Sequence, residues 1–181
     1  MVYARYKLCI FGDGGVGKTT LTHRFLQGVF KEDYRLTIGM DFYLKKIEIN
    51  DKIISLQIWD FAGEEKFRFL LPSAIMGANG AIFMYDITRY QTFDNLDNWL
   101  SVFNETIKKE GLLVSTILVG SKIDLAENRA VSIEEAMRYI KERKFQDFIE
   151  CSSKTGENVE TIFKRIGEIM IKNTPYLKNK E

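Results

Sequence analysis

Short apolar runs alternate with amphipathic ones along most of the chain, and that alternation predicts its elements. "YKLCIF" (6–11) reads as a short buried strand. "GAIFMYDI" (80–87) and "STILVGS" (115–121) are continuous apolar runs, as strands covered on both faces should be. "YLKKIEIN" and "KIISLQIW" alternate with period two on either side of Asn50-Asp51, which predicts a β-hairpin. "DFIECS" (147–152) is a last strand. Helical spacing appears between them. A helix is expected from about Lys18 to Gln27. Phe93, Leu96, Leu100, Phe103 and Ile107 recur by threes and fours. Ile133, Ala136, Met137 and Ile140 do much the same behind Ser132-x-x-Glu135, a capping box. Val159, Ile162, Phe163, Ile166, Ile169 and Met170 make a closing amphipathic helix.

Strands alternating with helices imply right-handed crossovers and a mostly parallel sheet, to which the hairpin adds one antiparallel strand. Ligands of such sheets bind at the carboxyl ends of the strands. The chemistry is therefore expected in the loops after Phe11, Trp59, Val119 and Glu150. The 181 residues fit one domain, 1–181, with a core over about 6–171 and a short polar tail, 172–181. Repeats, linkers and low-complexity stretches are lacking.

Composition narrows the classes. A hydrophobic share of 45% and a charged share of 28% describe an ordinary soluble globular protein. A net charge of +1 provides no global pull toward nucleic acid or acidic lipid. No apolar run approaches the roughly 20 residues of a membrane-spanning helix, and "MVYARYKLCIF" is too short an apolar stretch for a signal peptide. Cys9 and Cys151 lack metal-ligand spacing and read as free buried thiols of a reducing compartment. The lone His23 reads as a helix-surface residue.

The strongest chemical signal is "GDGGVGKT", Gly12 to Thr19, which matches G-x-x-x-x-G-K-[ST] with a strand before and a helix after. Glycines let the backbone approach an anion closely, so that the N–H groups of Asp13, Gly14, Gly15, Val16, Gly17 and the helix start, through Thr20, form a nest around phosphates. The helix N-terminus adds its dipole. Lys18 places a charge on the β- and γ-phosphates, and Thr19 offers a hydroxyl to Mg²⁺. A glycine-rich helix cap is the plain alternative; four glycines, Lys and Thr in this register argue against it. The motif points to a nucleoside triphosphate without naming the base. "GSKID", Gly120 to Asp124, also follows a buried strand. The Asp124 carboxylate can accept from guanine N1–H and its 2-amino group, a donor pair that adenine lacks, and the stem of Lys122 can lie on the ring. Alone this K-x-D fits a surface turn equally well. The second loop, "CSSKTG" (151–156), raises guanine above adenine.

With these motifs in order, the chain resembles the Ras superfamily of small GTPases over 6–171, and most nearly its Rab branch, through "TIGMDF" (37–42), "LQIWDFAGEEKFR" (56–68) and "MYDIT" (84–88). The resemblance implies a P-loop NTPase G domain: an α/β fold with a six-stranded mixed sheet, one antiparallel edge strand and about five helices. It implies a GDP/GTP switch with Mg²⁺ held by Thr19, Thr37 and Asp60, and γ-phosphate sensed by Thr37 and the N–H of Gly63. Phe30 would stack edge-wise on guanine, and Ser152, Ser153 and Lys154 would form the second base loop. Effectors, exchange factors and GTPase-activating proteins would meet residues 31–42 and 61–75, which the γ-phosphate orders.

Three departures stand out. Ser121 occupies the place of an Asn that bonds guanine N7 and ties the base loop to the phosphate loop; guanine selectivity is expected to survive through Asp124, with lower affinity. Glu64 stands where the family has a water-orienting Gln. An ionised Glu only accepts hydrogen bonds. It can hold or deprotonate the attacking water, yet its charge opposes the developing negative charge, so the sign of its effect is open, and a carboxylate without catalytic duty fits as well. Ala74 replaces a Tyr of an aromatic triad whose other members, Phe42 and Trp59, are present; Trp59 fits either an interface or the core.

The tail "NTPYLKNKE" has no cysteine for prenylation, and Val2 follows Met1 where myristoylation needs Gly, so no lipidation motif is present. The expectation is a cytoplasmic protein, peripheral to membranes only through partners or a further segment, hydrolysing GTP slowly with Lys18, Thr37, Gly63 and Glu64 as the catalytic set. The competing readings are a nucleotide-binding scaffold that hardly hydrolyses and an ATP-using P-loop enzyme.

Overall fold

The computed structural model describes residues 4–31 and 37–173. Its order is β1 (Ala4–Phe11), α1 (Lys18–Gln27), β2 (Met40–Ile49), β3 (Lys52–Phe61), α2 (Leu71–Ile75), β4 (Gly80–Asp86), α3 (Tyr90–Asp94), α4 (Leu96–Glu110), β5 (Ser115–Ser121), α5 (Ile133–Arg143), β6 (Asp147–Cys151) and α6 (Val159–Asn173), with 3₁₀ turns at Glu65–Leu70 and Ile123–Asn128. The six strands form one sheet in the order β2-β3-β1-β4-β5-β6. Only the β2–β3 pair is antiparallel, joined at Asn50 and Asp51, whose φ values of 49° and 62° are those of a two-residue primed turn. The expected mixed sheet is present.

Alternation along the strands builds two cores. Tyr6, Leu8 and Ile10 of β1 face α1 and α6, where Phe25 stacks on Phe163 at 3.8 Å. Cys9 and Phe11 face the other way, among Phe83, Trp99 and Phe103. The described residues hold six α-helices against about five expected. The periodic run 93–107 divides at Asn95, which closes α3 and opens α4. Aperiodic sequence around Pro72 forms the short α2, with proline in its first turn, where no N–H is needed. Ser132 and Glu135 close the predicted capping box of α5. Cys9 and Cys151 are free and buried, with thiol pKa values pushed up to about 12 by burial. His23 is half-buried on α1, 3.1 Å from the Tyr43 hydroxyl. Strand order reverses beside β1, between β3 and β4, and the loops that carry the motifs gather there. Residues 32–36 of the partner segment 31–42, and tail residues 174–181, lie outside the described residues.

Candidate functional site

β1 delivers the glycine-rich loop onto the start of α1, whose N-cap is Gly17. Lys18 is 5% exposed, and its Nζ donates to the carbonyls of Gly12 and Asp13 at 2.8 Å each. Burial pushes its pKa down to about 8, against the pull of Asp60 and Asp13. A desolvated cation beside a ring of backbone N–H groups can hold a polyanion.

Thr19, Thr37 and Asp60 meet beside this cradle. Thr19 Oγ1 donates to Asp60 Oδ2 at 2.5 Å and lies 2.7 Å from Thr37 Oγ1. Because Thr19's one proton goes to Asp60, Thr37 donates to Thr19. Asp60 is fully buried at the end of β3, and its Oδ1 has no hydrogen-bond partner among the described residues. Burial raises its pKa to about 6, despite the Thr19 hydrogen bond and the Lys18 charge. Two hydroxyls and a carboxylate with an orphaned oxygen are a hard-oxygen donor set that fits Mg²⁺.

One cavity is lined by Gly14, Gly15, Gly17, Lys18, Thr19, Thr20, Thr37, Phe61, Gly63 and Glu64. A Cβ on Gly14 would meet nothing within 4 Å, so the space above it is open. Gly63 is the opposite: a Cβ there would sit 2.2 Å from the Asp13–Gly14 peptide, so only glycine allows this backbone approach. Glu64 stands at the rim, its carboxylate paired with Lys66 at 2.7 Å, both well exposed. Glu65 is paired with Arg68 at 3.7 Å and faces solvent.

A second cavity shares Gly15, Gly17 and Thr20 with the first, and so continues it. Its walls add Val16, Phe30, Ser121, Lys122, Asp124, Leu125, Ser153 and Lys154. Asp124 is exposed to the cavity and held by a 2.6 Å hydrogen bond from Ser152 Oγ, which in turn accepts from the Thr155 N–H. Ser152 is fully buried and does not line the cavity: it orients Asp124. Ser121 is buried, with Oγ 2.7 Å from the Val16 carbonyl and 2.8 Å from that of Tyr85. Its single proton serves one at a time, and the Val16 bond joins this loop to the glycine-rich loop.

Asp13 ties the loop to α4 with its side chain. Its carboxylate turns away from the cavity and accepts from Asn95 Nδ2 at 2.6 Å and Trp99 Nε1 at 2.9 Å, so only its backbone belongs to the cradle. Trp99 is 1% exposed, and a buried indole N–H requires an acceptor. Arg68 lies over the Trp99 ring at 5.0 Å, linking the turn after Gly63 to the same helix. Asn95, Trp99, Arg68, Phe61 and Leu125 are absent from the residues singled out in the sequence. The usable signal is Asn95-x-x-x-Trp99, two polar donors one turn apart at the start of an amphipathic helix. Ala74 is buried, its carbonyl accepting from the Cys9 thiol. Phe42 is 52% exposed, in edge contact with the half-buried Trp59, which carries Lys7 over its ring.

The model of the Ras family matches residues 7–172. The Ras-related protein Rab-1 of Theileria parva is 39% identical over 166 residues, covering 91% of this chain and 74% of that protein. Among the described residues no helix is long and apolar enough to cross a membrane.

Proposed function

The chain belongs to the Ras family of small GTPases, with a Rab-like sequence, and from that premise we propose a Mg²⁺-dependent switch that binds GTP and GDP and slowly hydrolyses GTP to GDP and phosphate. The observation that carries it is one continuous cleft with Lys18, Thr19 and Asp60 at one end and the oriented Asp124 at the other. The triphosphate lies in the cradle from Gly14 to Thr20 under the Lys18 cation. Thr19, Thr37 and Asp60 hold Mg²⁺, which neutralises phosphate charge when bound. Asp124 reads the guanine edge, Phe30 and the Lys122 stem flank the ring, and Ser121, Ser153 and Lys154 complete the wall.

The open space over Gly14 leaves room for an in-line water. Glu64, at the rim, accepts a hydrogen bond from that water and offers no donor to the γ-phosphate. With positioning and electrostatics as the whole of catalysis, the unassisted rate is expected to be on the order of 10⁻⁴ to 10⁻² s⁻¹. Loss of γ-phosphate frees Thr37 and Gly63, and with them the surfaces 31–42 and 61–75 that effectors, exchange factors and activating proteins read. The Rab likeness points to membrane trafficking or related signalling, from the cytoplasm and at membrane surfaces.

Single-turnover phosphate release from bound GTP tests this reading, with Lys18→Ala and Glu64→Gln alongside wild type. Release faster than nucleotide loss, abolished in Lys18→Ala, supports the enzyme. Bound GTP unchanged over days supports the scaffold instead, the reading that Glu64 favours by its charge at the rim. Tight ATP binding in competition with GTP would overturn guanine specificity.

A further inference from the structure

Arg89 follows β4 and sits outside every motif that the function absorbs. Its Nε donates to Asp86 Oδ2 at 3.0 Å, and its NH2 nitrogen donates to the Gly14 carbonyl at 3.2 Å. Asp86 is 1% exposed and fully engaged. Its Oδ1 accepts from the Thr88 N–H and hydroxyl at 2.9 and 2.7 Å, and its Oδ2 also takes Lys122 Nζ at 2.6 Å. A buried carboxylate thus fixes both the Arg89 guanidinium and the Lys122 ammonium, through the same oxygen, Oδ2.

The Gly14 carbonyl and the Gly15 N–H belong to one planar trans peptide, so fixing the oxygen outward fixes the N–H in the opposite direction, toward the cavity that both residues line. That peptide lies between two glycines, where rotation of the unit meets little steric resistance. Gly15 has φ +73°, and the guanidinium rests against it, 3.5 Å from where a Cβ would be. Among the described residues, Arg89 is the hydrogen-bond donor that holds the Gly14 carbonyl in this orientation.

We propose that Arg89 is a positioning residue for the nucleotide: braced by Asp86, it locks the Gly14–Gly15 peptide with its N–H toward the phosphates and so slows release of bound GDP and GTP. The inference rests on the nucleotide-binding reading above. Lysine cannot replace arginine here, because one ammonium cannot reach along two divergent directions as the Nε and the NH2 nitrogen do.

Release of a fluorescent GDP in Mg²⁺ is measured by stopped flow for wild type, Arg89→Ala and Arg89→Lys, with amide spectra of the GDP-bound proteins. Arg89→Ala is expected to release about tenfold faster, the scale of one charge-assisted hydrogen bond. Arg89→Lys should recover less than half of that change despite its charge. The Gly15 amide resonance should broaden in both variants while that of Gly17 stays sharp, a signature that general loss of stability would not produce. Release within twofold of wild type in Arg89→Ala, full recovery by Lys, or an unaltered Gly15 amide overturns the inference alone. Wild-type protein that retains no guanine nucleotide defeats both the inference and the reading beneath it.

Discussion

The two ends of the cleft are built differently. At the glycine-rich end, Lys18 and Asp60 are buried, Thr19 is half-buried, and all three are already committed: Lys18 to two carbonyls, Thr19 to Asp60, Asp60 with one oxygen left over. At the other end, Asp124 and Lys154 are exposed, and what is buried lies behind them, in Ser152 and Ser121. The first end is preorganised by burial and the second by hydrogen bonds from a second layer. Loss of a buried charge leaves its partners unpaired in a dry site, whereas loss of an orienting hydroxyl only loosens a group that water can still reach. Substitutions at the first end should therefore cost more.

Lys18→Ala gives the largest effect. Affinity for GDP and GTP is expected to fall about 100- to 1,000-fold, the range for truncating one member of a buried charge pair. Equilibrium titration with a fluorescent nucleotide reads it. A loss below tenfold would erase the contrast between the ends. Asp124→Ala follows, with GTP affinity down about 100-fold from two lost charge-assisted hydrogen bonds and ATP affinity little changed. Competition between the two nucleotides gives the ratio, and equal losses for both would refute a role in base recognition.

The same contrast appears in what could be read from sequence. The glycine-rich end is local: Gly12 to Thr19 is one contiguous loop between a strand and a helix, so spacing alone announces it. The hairpin at Asn50-Asp51 and the box at Ser132 and Glu135 are local too, and each was legible. The role of the Asp13 carboxylate is hidden from the sequence, because it is satisfied by Asn95 and Trp99 on α4, far along the chain, where only the fold brings them near. Arg89 is similar: a charged residue after a strand looks like any solvated turn until its partners, Asp86 and Gly14, are seen. The region 65–75 was unreadable for another reason. A 3₁₀ turn and a five-residue helix have no sustained period to detect.

Titration separates the ends without mutating the second. In the ligand-free fold Lys18 has its pKa lowered from 10.5 to about 8 by burial. A lowered lysine pKa means that the folded protein binds fewer protons than the unfolded chain between those values, so this group makes stability rise with pH across that window. Polyphosphate restores the cation, and above pH 8 binding must take up a proton. GDP affinity should be flat from about pH 7 to 8 and then fall by up to tenfold per unit. Lys18→Arg, whose charge does not titrate here, should lose the slope. Calorimetry over that range detects both the slope and the proton uptake; an unchanged slope in Lys18→Arg would assign it to the base instead.

Ser152→Ala tests the second-layer logic. Asp124 keeps its charge and its place on the loop but loses the 2.6 Å hydrogen bond that aims it. GTP affinity should fall about tenfold, the value of one hydrogen bond to a charged group, and thus less than in Asp124→Ala. A loss equal to that of Asp124→Ala would mean that Ser152 touches the base itself. A rise in ATP binding of comparable size would show that the aim of Asp124 supplies part of the discrimination.

The smallest effect belongs to Ser121, where the structure refines what the sequence suggests. An Asn at this place is expected to serve two purposes, contact with the base and a tie to the neighbouring loop. Ser121 already supplies the tie, through its hydroxyl to the Val16 carbonyl at 2.7 Å, and only the base contact is missing. Ser121→Asn should therefore tighten guanine nucleotides by less than about tenfold, the value of one neutral hydrogen bond. Ser121→Ala should loosen them by a comparable factor, because it removes the tie and leaves a buried carbonyl without its partner. Calorimetric titration of GDP into both variants decides the matter. Tightening by Asn together with loosening by Ala assigns the two purposes to separate atoms, whereas no tightening by Asn would reject the idea that a base contact is missing.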